Sequence, residues 1–310
     1  MNPASRYDAI LIVGFGGPTG PEEVRPFLDN VLRGRPVPKE RYEEVVRHYE
    51  HIGGRSPYNE VATRISHGLK AELARAGVSI PVFLAMRNWK PYLADAIAEM
   101  ASRGVRRALG FVLAAHRSDA SWDRYIQAVS EARARAGASA PEVDYVSAWH
   151  DHPLFIEAAA SAARDALKRL GSDQHEAQVV FTAHSIPVAM AAASPYVEQI
   201  TESSRLVAGA LGIKSWTLVF QSRSGSPREP WLEPDIGDAL RKLAGKPVVV
   251  VPIGFVVDNV EVAYDLDVAA AAVARGAGVR MERAATVGEH PLFIKMMAAV
   301  VRAHLGAPRE

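Results

Sequence analysis

Eight apolar runs alternate with amphipathic helical patterns from one end of the chain to the other. No other feature constrains the fold as tightly. The runs are Asp8–Phe15, Pro81–Met86, Ala108–Ala115, Val143–Trp149, Gln178–His184, Trp216–Gln221, Val248–Phe255 and Val279–Arg283. Several are near-continuous in apolar residues, which suits strands covered on both faces. Between them, Tyr58–Ala76, Pro91–Arg103, Ser121–Ala136, Phe155–Leu170, Tyr196–Leu211 and Val260–Arg275 carry helical periodicity. Strands alternating with helices predict an α/β fold with parallel sheets flanked by helices.

A short repeat divides the chain. Asp151–Glu157 reads DHPLFIE and Glu289–Lys295 reads EHPLFIK, each after a predicted strand and at the start of a helix. An acid, a histidine and a proline ahead of an apolar run form a helix-start signal, so His152 and His290 are read as capping residues. The repeat predicts two similar halves: residues 1–149, and residues 150–290 with a last helix at about 291–306 that crosses back onto the first half. Two α/β lobes predict a cleft between them, a favoured place for a small ligand.

The composition narrows the function. Of 310 residues, 48% are hydrophobic and 23% charged, as in a globular protein, and the net charge of +1 offers no bulk affinity for nucleic acid. Cysteine is absent, which excludes disulfides, a thiolate nucleophile and cysteine-ligated zinc or iron–sulfur centres. It also fits a reducing, cytoplasmic setting. No run of 18 apolar residues occurs, and the N-terminal segment lacks a basic n-region, so a soluble protein without membrane insertion is expected.

Two strand ends carry the chemistry. His184 closes the run QVVFTAH, and Glu261 opens the helical segment after PVVVVPIGFVVDNV. In parallel α/β sheets, side chains at the carboxyl ends of strands face the ligand crevice. An imidazole and a carboxylate there can take protons from a ligand or hold a metal briefly, but they are too few for a closed four-ligand metal site. His184 is equally well placed to bond a backbone carbonyl. Ser185 can cap the next helix and Pro187 can begin it. Glu261 fits a capping box with Asp258 as the cap. Glu261 and Asp265, four apart on one helix, with Asp267 nearby, form an acidic ladder whose mild repulsion is easier to explain if protons or cations move along it.

The first half opens on Gly14-Phe15-Gly16-Gly17-Pro18, which is neither GxGxxG nor a P-loop. It is either a plain strand-to-helix turn or a backbone lying close to a flat ligand with Phe15 packed on it. Basic and aromatic clusters follow. One contains Arg33, Arg35, Arg47, His48, Tyr49 and Arg55, and the next spans Met86 to Tyr92. A third spans His116 to Tyr125 and includes Arg117 and Arg124. Together they suit a flat apolar ligand carrying carboxylates, which arginine grips bidentately.

Several segments resemble the ferrochelatases, in order and across almost the whole chain. They are FGGP, Arg33-Gly34-Arg35, His48-Tyr49, Gly53-Gly54-Arg55-Ser56-Pro57, Arg87-Asn88-Trp89, FTAHSIP, Phe220-Gln221-Ser222-Arg223-Ser224-Gly225, Pro230–Asp235 and PIGFVVDNVEVAYDLD. The chain is most similar in character to the actinobacterial type that acts on coproporphyrin III. The resemblance implies two Rossmann-like domains with a porphyrin cleft between them, and insertion of ferrous iron into a porphyrin. Fe(2+) is then a substrate and no cofactor is permanently bound.

The resemblance further implies that His184 and Glu261 are the catalytic, metal-contacting pair. It implies that Phe15, Arg47, His48, Tyr49, Ser56, Arg87, Tyr125 and Trp231 contact the porphyrin, and that Tyr264 and Asp265 relay protons or metal. Phe15 stands where many relatives have a tyrosine that ligates product iron, and Asn88 where some have a histidine tied to metal delivery. A neutral His184 near pH 7 would act as general base. Imidazole and carboxylate hold Fe(II) without the softness of thiolate, which favours release into the ring. The porphyrin and ferrous iron are the expected partners of a monomer.

The arginines, and the charged segment VPKERYEEVVRH, favour the four-carboxylate coproporphyrin III. The alternatives are a protoporphyrin IX ferrochelatase, a cobalt chelatase for sirohydrochlorin, and a tetrapyrrole carrier without catalysis. A dinucleotide oxidoreductase is disfavoured by the absence of GxGxxG.

Overall fold

The computed structural model describes residues 6–225 and 228–306. They form two compact units. The first contains β1 (Ala9–Gly14), α1 (Val24–Leu32), α2 (Lys39–His51), α3 (Tyr58–Arg75), β2 (Val82–Met86), α4 (Leu93–Ser102), β3 (Arg107–Val112), α5 (Arg124–Ala136) and β4 (Glu142–Tyr145). The second contains α6 (Pro153–Arg169), β5 (Gln178–His184), α7 (Val188–Ala192), α8 (Tyr196–Ala210), β6 (Trp216–Gln221), α9 (Ile236–Lys242), β7 (Pro247–Val251), α10 (Val260–Ala263), α11 (Ala271–Gly276) and β8 (Arg280–Arg283). The last helix, α12 (Pro291–Leu305), belongs to the first unit, and so does the chain from Glu289 to Gly306.

Each unit holds one four-stranded parallel sheet, ordered β2-β1-β3-β4 in the first and β6-β5-β7-β8 in the second. The strand order is the same in both, with the first strand of each unit placed inside its sheet. β1 is buried at all six positions, and β5 is buried from Val179 to Ala183. Helices on both faces explain why these strands read as unbroken apolar runs. On one face of the first sheet, Leu11, Val13, Ile97, Met100 and Val129 share a core. In the second unit, Val180, Val248, Val250, Leu240 and Leu266 do the same.

α12 packs on α3, where the bare Cα of Gly68 admits Ile294: a Cβ at Gly68 would lie 3.3 Å from that side chain. Arg64 and Glu289 form an ion pair at the same contact. His152 and His290 are the N-caps of α6 and α12, their Nδ1 atoms accepting from Leu154 N and Leu292 N at 3.2 Å each, as the HPLF signal predicts. The segment Ala115–Asp119 joins the second unit. There His116 is fully enclosed, and burial beside His150 pushes its imidazole down to about 3, so it stays neutral.

Three expectations need correction. β7 stops at Val251 and not at Phe255, because Pro252 breaks the ladder and Gly254 N turns back to donate to Thr182 O at 3.1 Å. The Val260–Arg275 helix is interrupted: α10 is a single turn, a π-helical turn spans Asp265–Ala270, and α11 follows. β4 ends at Tyr145, and Trp149 packs edge-on against Phe155 in the second unit, their ring centroids 5.2 Å apart.

Candidate active site

β5 brings His184 to its carboxyl end. Its neighbour β6 pairs with it in register to the last residue, His184 against Gln221. β7 pairs only as far as Phe181, so the last three residues of β5 face the turn after β7. Gly254 is required in that turn, since a Cβ there would lie 2.5 Å from Ala183 Cβ. The close approach leads the chain directly to Asn259 and α10, and so to Glu261.

His184 Nε2 lies 3.1 Å from Glu261 Oε1. The other ring nitrogen, Nδ1, bonds the Ser185 carbonyl. A carbonyl only accepts, so Nδ1 carries a proton and Nε2 presents either a lone pair or a second proton to the carboxylate. Burial of the ring opposes its charged form. The charge and hydrogen bond of Glu261 oppose that effect, together with the Ser185 carbonyl and the charge of Asp265, and the His184 pKa is raised above 6.5 overall. The pair holds a proton to higher pH than a free histidine would. The side chains of His184 and Glu261 are 25% and 31% exposed, so solutes reach both.

Backbone and side-chain bonds fix the pair. Tyr196 Oη donates to His184 O at 3.0 Å. Burial, and then the nearby Glu261 carboxylate, push the Tyr196 phenol well above its usual range. The cap of α10 is Asn259 and not Asp258, since Asn259 Oδ1 accepts from Val262 N at 3.1 Å. Asp258 is drawn instead to Arg283, whose guanidinium bridges Asp258 (3.0 Å) and Asp267 (2.6 Å). Ser185 does not cap α7 either. Its hydroxyl donates to Leu232 O at 2.9 Å, and Pro187 occupies the cap position.

The acidic ladder is therefore partnered at each step: Glu261 with His184, Asp265 with the Ser222 hydroxyl, and Asp267 with Arg283. Tyr264 ends α10 and receives the Ala269 N–H at 2.9 Å, the five-residue bond that opens the π turn. Trp231 lies on a short antiparallel bridge to Pro187, and its indole Nε1 is buried without a hydrogen-bond partner.

The first unit places its residues separately. Phe15 follows β1; its N–H donates to Tyr58 Oη at 3.0 Å and its ring meets Phe27 edge-on at 6.2 Å. Tyr49 packs on the same Phe27 at 6.0 Å. Ser56 is buried, and its N–H donates to Pro18 O at 2.8 Å. Gly17 presses on Ser56 so closely that a Cβ would lie 2.5 Å from Ser56 Cβ. The Arg87 guanidinium sits 6.0 Å from the Tyr125 ring centroid. Burial, with Arg33 and Arg124 nearby, lowers the Arg87 pKa, and its Nε has no hydrogen-bond partner. Arg87, Arg33, Asn88 and Glu131 line a cavity of about 610 Å³ within this unit. His48 is lowered by burial against the opposing charge of Glu44, and Arg47 is exposed on α2. Of the other arginines, Arg55 pairs with Glu60 (2.5 Å), and Arg35 turns back to the Leu32 and Val31 carbonyls.

No role for Thr182, Tyr196, Gln221, Ser222 or Arg283 is read from the sequence. Gln221 and Ser222 lay inside a recognised segment, but their bonds across to Glu261 and Asp265 are visible only once the two strands are paired. Among the described residues, no cluster of three or more His, Cys, Asp or Glu is arranged to hold a metal ion. No helix is long and apolar enough to cross a membrane, among those residues.

The chain is 46% identical over 317 residues to the coproporphyrin III ferrochelatase of Nocardia farcinica, covering 98% of this chain and 90% of that one. It is 43% identical over 302 residues to the coproporphyrin III ferrochelatase of Mycolicibacterium smegmatis, with 95% and 89% covered. It is 41% identical over 314 residues to the ferrochelatase of Rhodopirellula baltica, with 100% and 90% covered. Among solved structures, SirB from Bacillus subtilis with Fe3+ superposes with a TM-score of 0.59 at 12% identity, covering 96% of this chain and 95% of that one, a likeness of fold. The Ferrochelatase family model matches residues 7–305, and the chain belongs to the ferrochelatase family.

Proposed function

We propose that the protein inserts Fe(II) into coproporphyrin III to give Fe-coproporphyrin III, with His184 and Glu261 as the groups that meet the metal and the departing protons. The observation that carries the chemistry is the 3.1 Å approach of His184 Nε2 to Glu261 Oε1, with Nδ1 committed to a carbonyl. The substrate assignment is supported by relatives of that name at 43% and 46% identity across at least 95% of the chain.

The reaction exchanges two pyrrole N–H protons for one Fe(II), so the site must accept two protons and offer a weak metal foothold. Nε2, once deprotonated, accepts a proton from a pyrrole nitrogen as general base. Glu261 takes it onward, and Asp265, held by the Ser222 hydroxyl, stands next along the segment with Tyr264 between them. The same imidazole and carboxylate bind Fe(II) through one nitrogen and one oxygen donor, a set weak enough to release the ion into four ring nitrogens. Strain of the macrocycle, drawn from binding energy at its rim, turns a nitrogen lone pair toward the metal.

Phe15, Tyr49, Ser56, Tyr125 and Trp231 supply the apolar and hydroxyl contacts for the ring. Arg87, Arg47 and His48 supply cationic contacts for its carboxylates. Arg87 is the strongest of these, being half-buried with an unpaired Nε beside a cavity. The protein works as a cytoplasmic monomer without a resident cofactor. The test is anaerobic Fe(II) turnover with both porphyrins. Faster turnover of coproporphyrin III is expected, and faster turnover of protoporphyrin IX would overturn the substrate assignment.

A further inference from the structure

The carboxyl end of β6 grips the segment that carries Glu261 at two points. Gln221 is 1% exposed. Its backbone carbonyl accepts from Ser185 N at 2.7 Å, next to His184 on β5. Its side-chain Nε2 donates to Glu261 O at 2.7 Å. Its Oε1 accepts from the hydroxyl of Thr182, which is wholly buried two residues before His184. The amide cannot be turned around, because the Glu261 carbonyl requires a donor and so places the nitrogen on that side. One residue further, Ser222 adopts φ +63, a left-handed backbone that side-chain-bearing residues rarely hold. Successive side chains on a strand point to opposite faces. The left-handed turn brings Ser222 back, so that its hydroxyl reaches the Asp265 carboxylate. The two grips fall on either side of Tyr264, where α10 gives way to the π turn. Sparse backbone conformations and π turns both gather at functional sites.

We propose that Gln221 is a positioning residue that holds Glu261 against His184, with Thr182 orienting its amide, and that it acts on metal transfer and not on porphyrin capture. The role rests on the proposed function of the His184–Glu261 pair. A one-turn helix has no length of its own to fix a carboxylate within a few tenths of an ångström, so the fixing comes from the neighbouring strand. Gln221 touches both sides of the pair, through its backbone at Ser185 and through its side chain at Glu261.

The test compares wild type, His184→Ala, Gln221→Met, Thr182→Val and Thr182→Ser. Porphyrin dissociation constants are read by fluorescence, and anaerobic kcat and KM are read for Fe(II). Gln221→Met keeps the length of the side chain and removes both hydrogen bonds. Its porphyrin dissociation constant is expected within about twofold of wild type, and its kcat/KM for Fe(II) lowered about tenfold or more, the scale of a slightly misplaced reacting group. Thr182→Val should follow in the same direction, and Thr182→Ser, which retains the hydroxyl, should restore wild-type rates. Should Gln221→Met fail to fold, the Thr182 pair decides by the same readouts.

A folded Gln221→Met (or, failing that, Thr182→Val) with unchanged Fe(II) kinetics overturns the proposal, as does an equal loss of porphyrin binding and metal insertion. Active wild type, inactive His184→Ala and unchanged Gln221→Met would remove the positioning role alone. Inactive wild type, or a fully active His184→Ala, would remove the function assigned to the pair.

Discussion

His184 and Glu261 stand at hydrogen-bonding distance. Nδ1 of His184 is committed to the Ser185 carbonyl, and Nε2 faces Glu261 Oε1 at 3.1 Å, so two acceptors would confront each other if no proton lay between them. That proton must leave before Nε2 can take one from a pyrrole. The His184 pKa is raised above 6.5, so the base form appears only as pH climbs through the raised value. The rate of metal insertion is therefore expected to rise with pH along an acidic limb set above the ordinary imidazole range. In Glu261→Gln the opposing charge is gone while burial remains, so the His184 pKa should fall in that variant. Titration of His184 by NMR in metal-free wild type and Glu261→Gln checks the sign: a downward shift is expected, and an upward shift or none would contradict it.

Arg283 neutralises two carboxylates at once. Its side chain is 18% exposed and bridges Asp258 and Asp267, so Arg283→Met leaves two acids facing each other beside the segment that carries Glu261. The bridge lies between a surface pair and a buried one, and its loss is expected to cost about 2 kcal/mol of stability. Urea unfolding of the two proteins measures this, provided the slopes agree. A loss below about 0.5 kcal/mol would show that the bridge carries little.

Gly254 is a packing requirement of the site. A Cβ there would lie 2.5 Å from Ala183 Cβ and 2.7 Å from Ala183 Cα. Gly254→Ala is expected to destabilise by about 1–3 kcal/mol, the usual cost of overpacking. Ala183→Gly in the same chain should recover part of the loss by removing the opposing methyl. Thermal unfolding of the single and double variants reads both effects, and equal midpoints in all three would deny the close approach.

Arg87 should discriminate between porphyrins by charge. Its Nε has no partner, and it is crowded by other arginines. Arg87→Ala is expected to raise the KM for coproporphyrin III about tenfold, equivalent to about 1.4 kcal/mol. The effect on protoporphyrin IX, with two carboxylates fewer, should be smaller. Equal effects on both substrates would remove Arg87 from specificity.

The strands and the two HPLF caps were legible because burial on both faces writes a continuous apolar run and a cap writes a local signal. His184 and Glu261 were legible because each follows such a run. The π turn at Asp265–Ala270 was not: its acids Asp265 and Asp267 bond to Ser222 and Arg283, 43 and 16 residues away in sequence. Asp258 looked like the cap of α10 because capping boxes are read locally. The structure gives that place to Asn259, because Arg283 holds Asp258 from across the sheet edge. Gln221 carried no signal of its own: a buried amide is legible only through its partners, Thr182 and Glu261, which lie 39 and 40 residues from it.

The most direct measurement is anaerobic insertion of Fe(II) into coproporphyrin III by wild type and by folded His184→Ala, with porphyrin binding measured in parallel. Rapid insertion by wild type is predicted, with binding retained and insertion abolished in the variant. Insertion at the wild-type rate by His184→Ala would contradict the central claim.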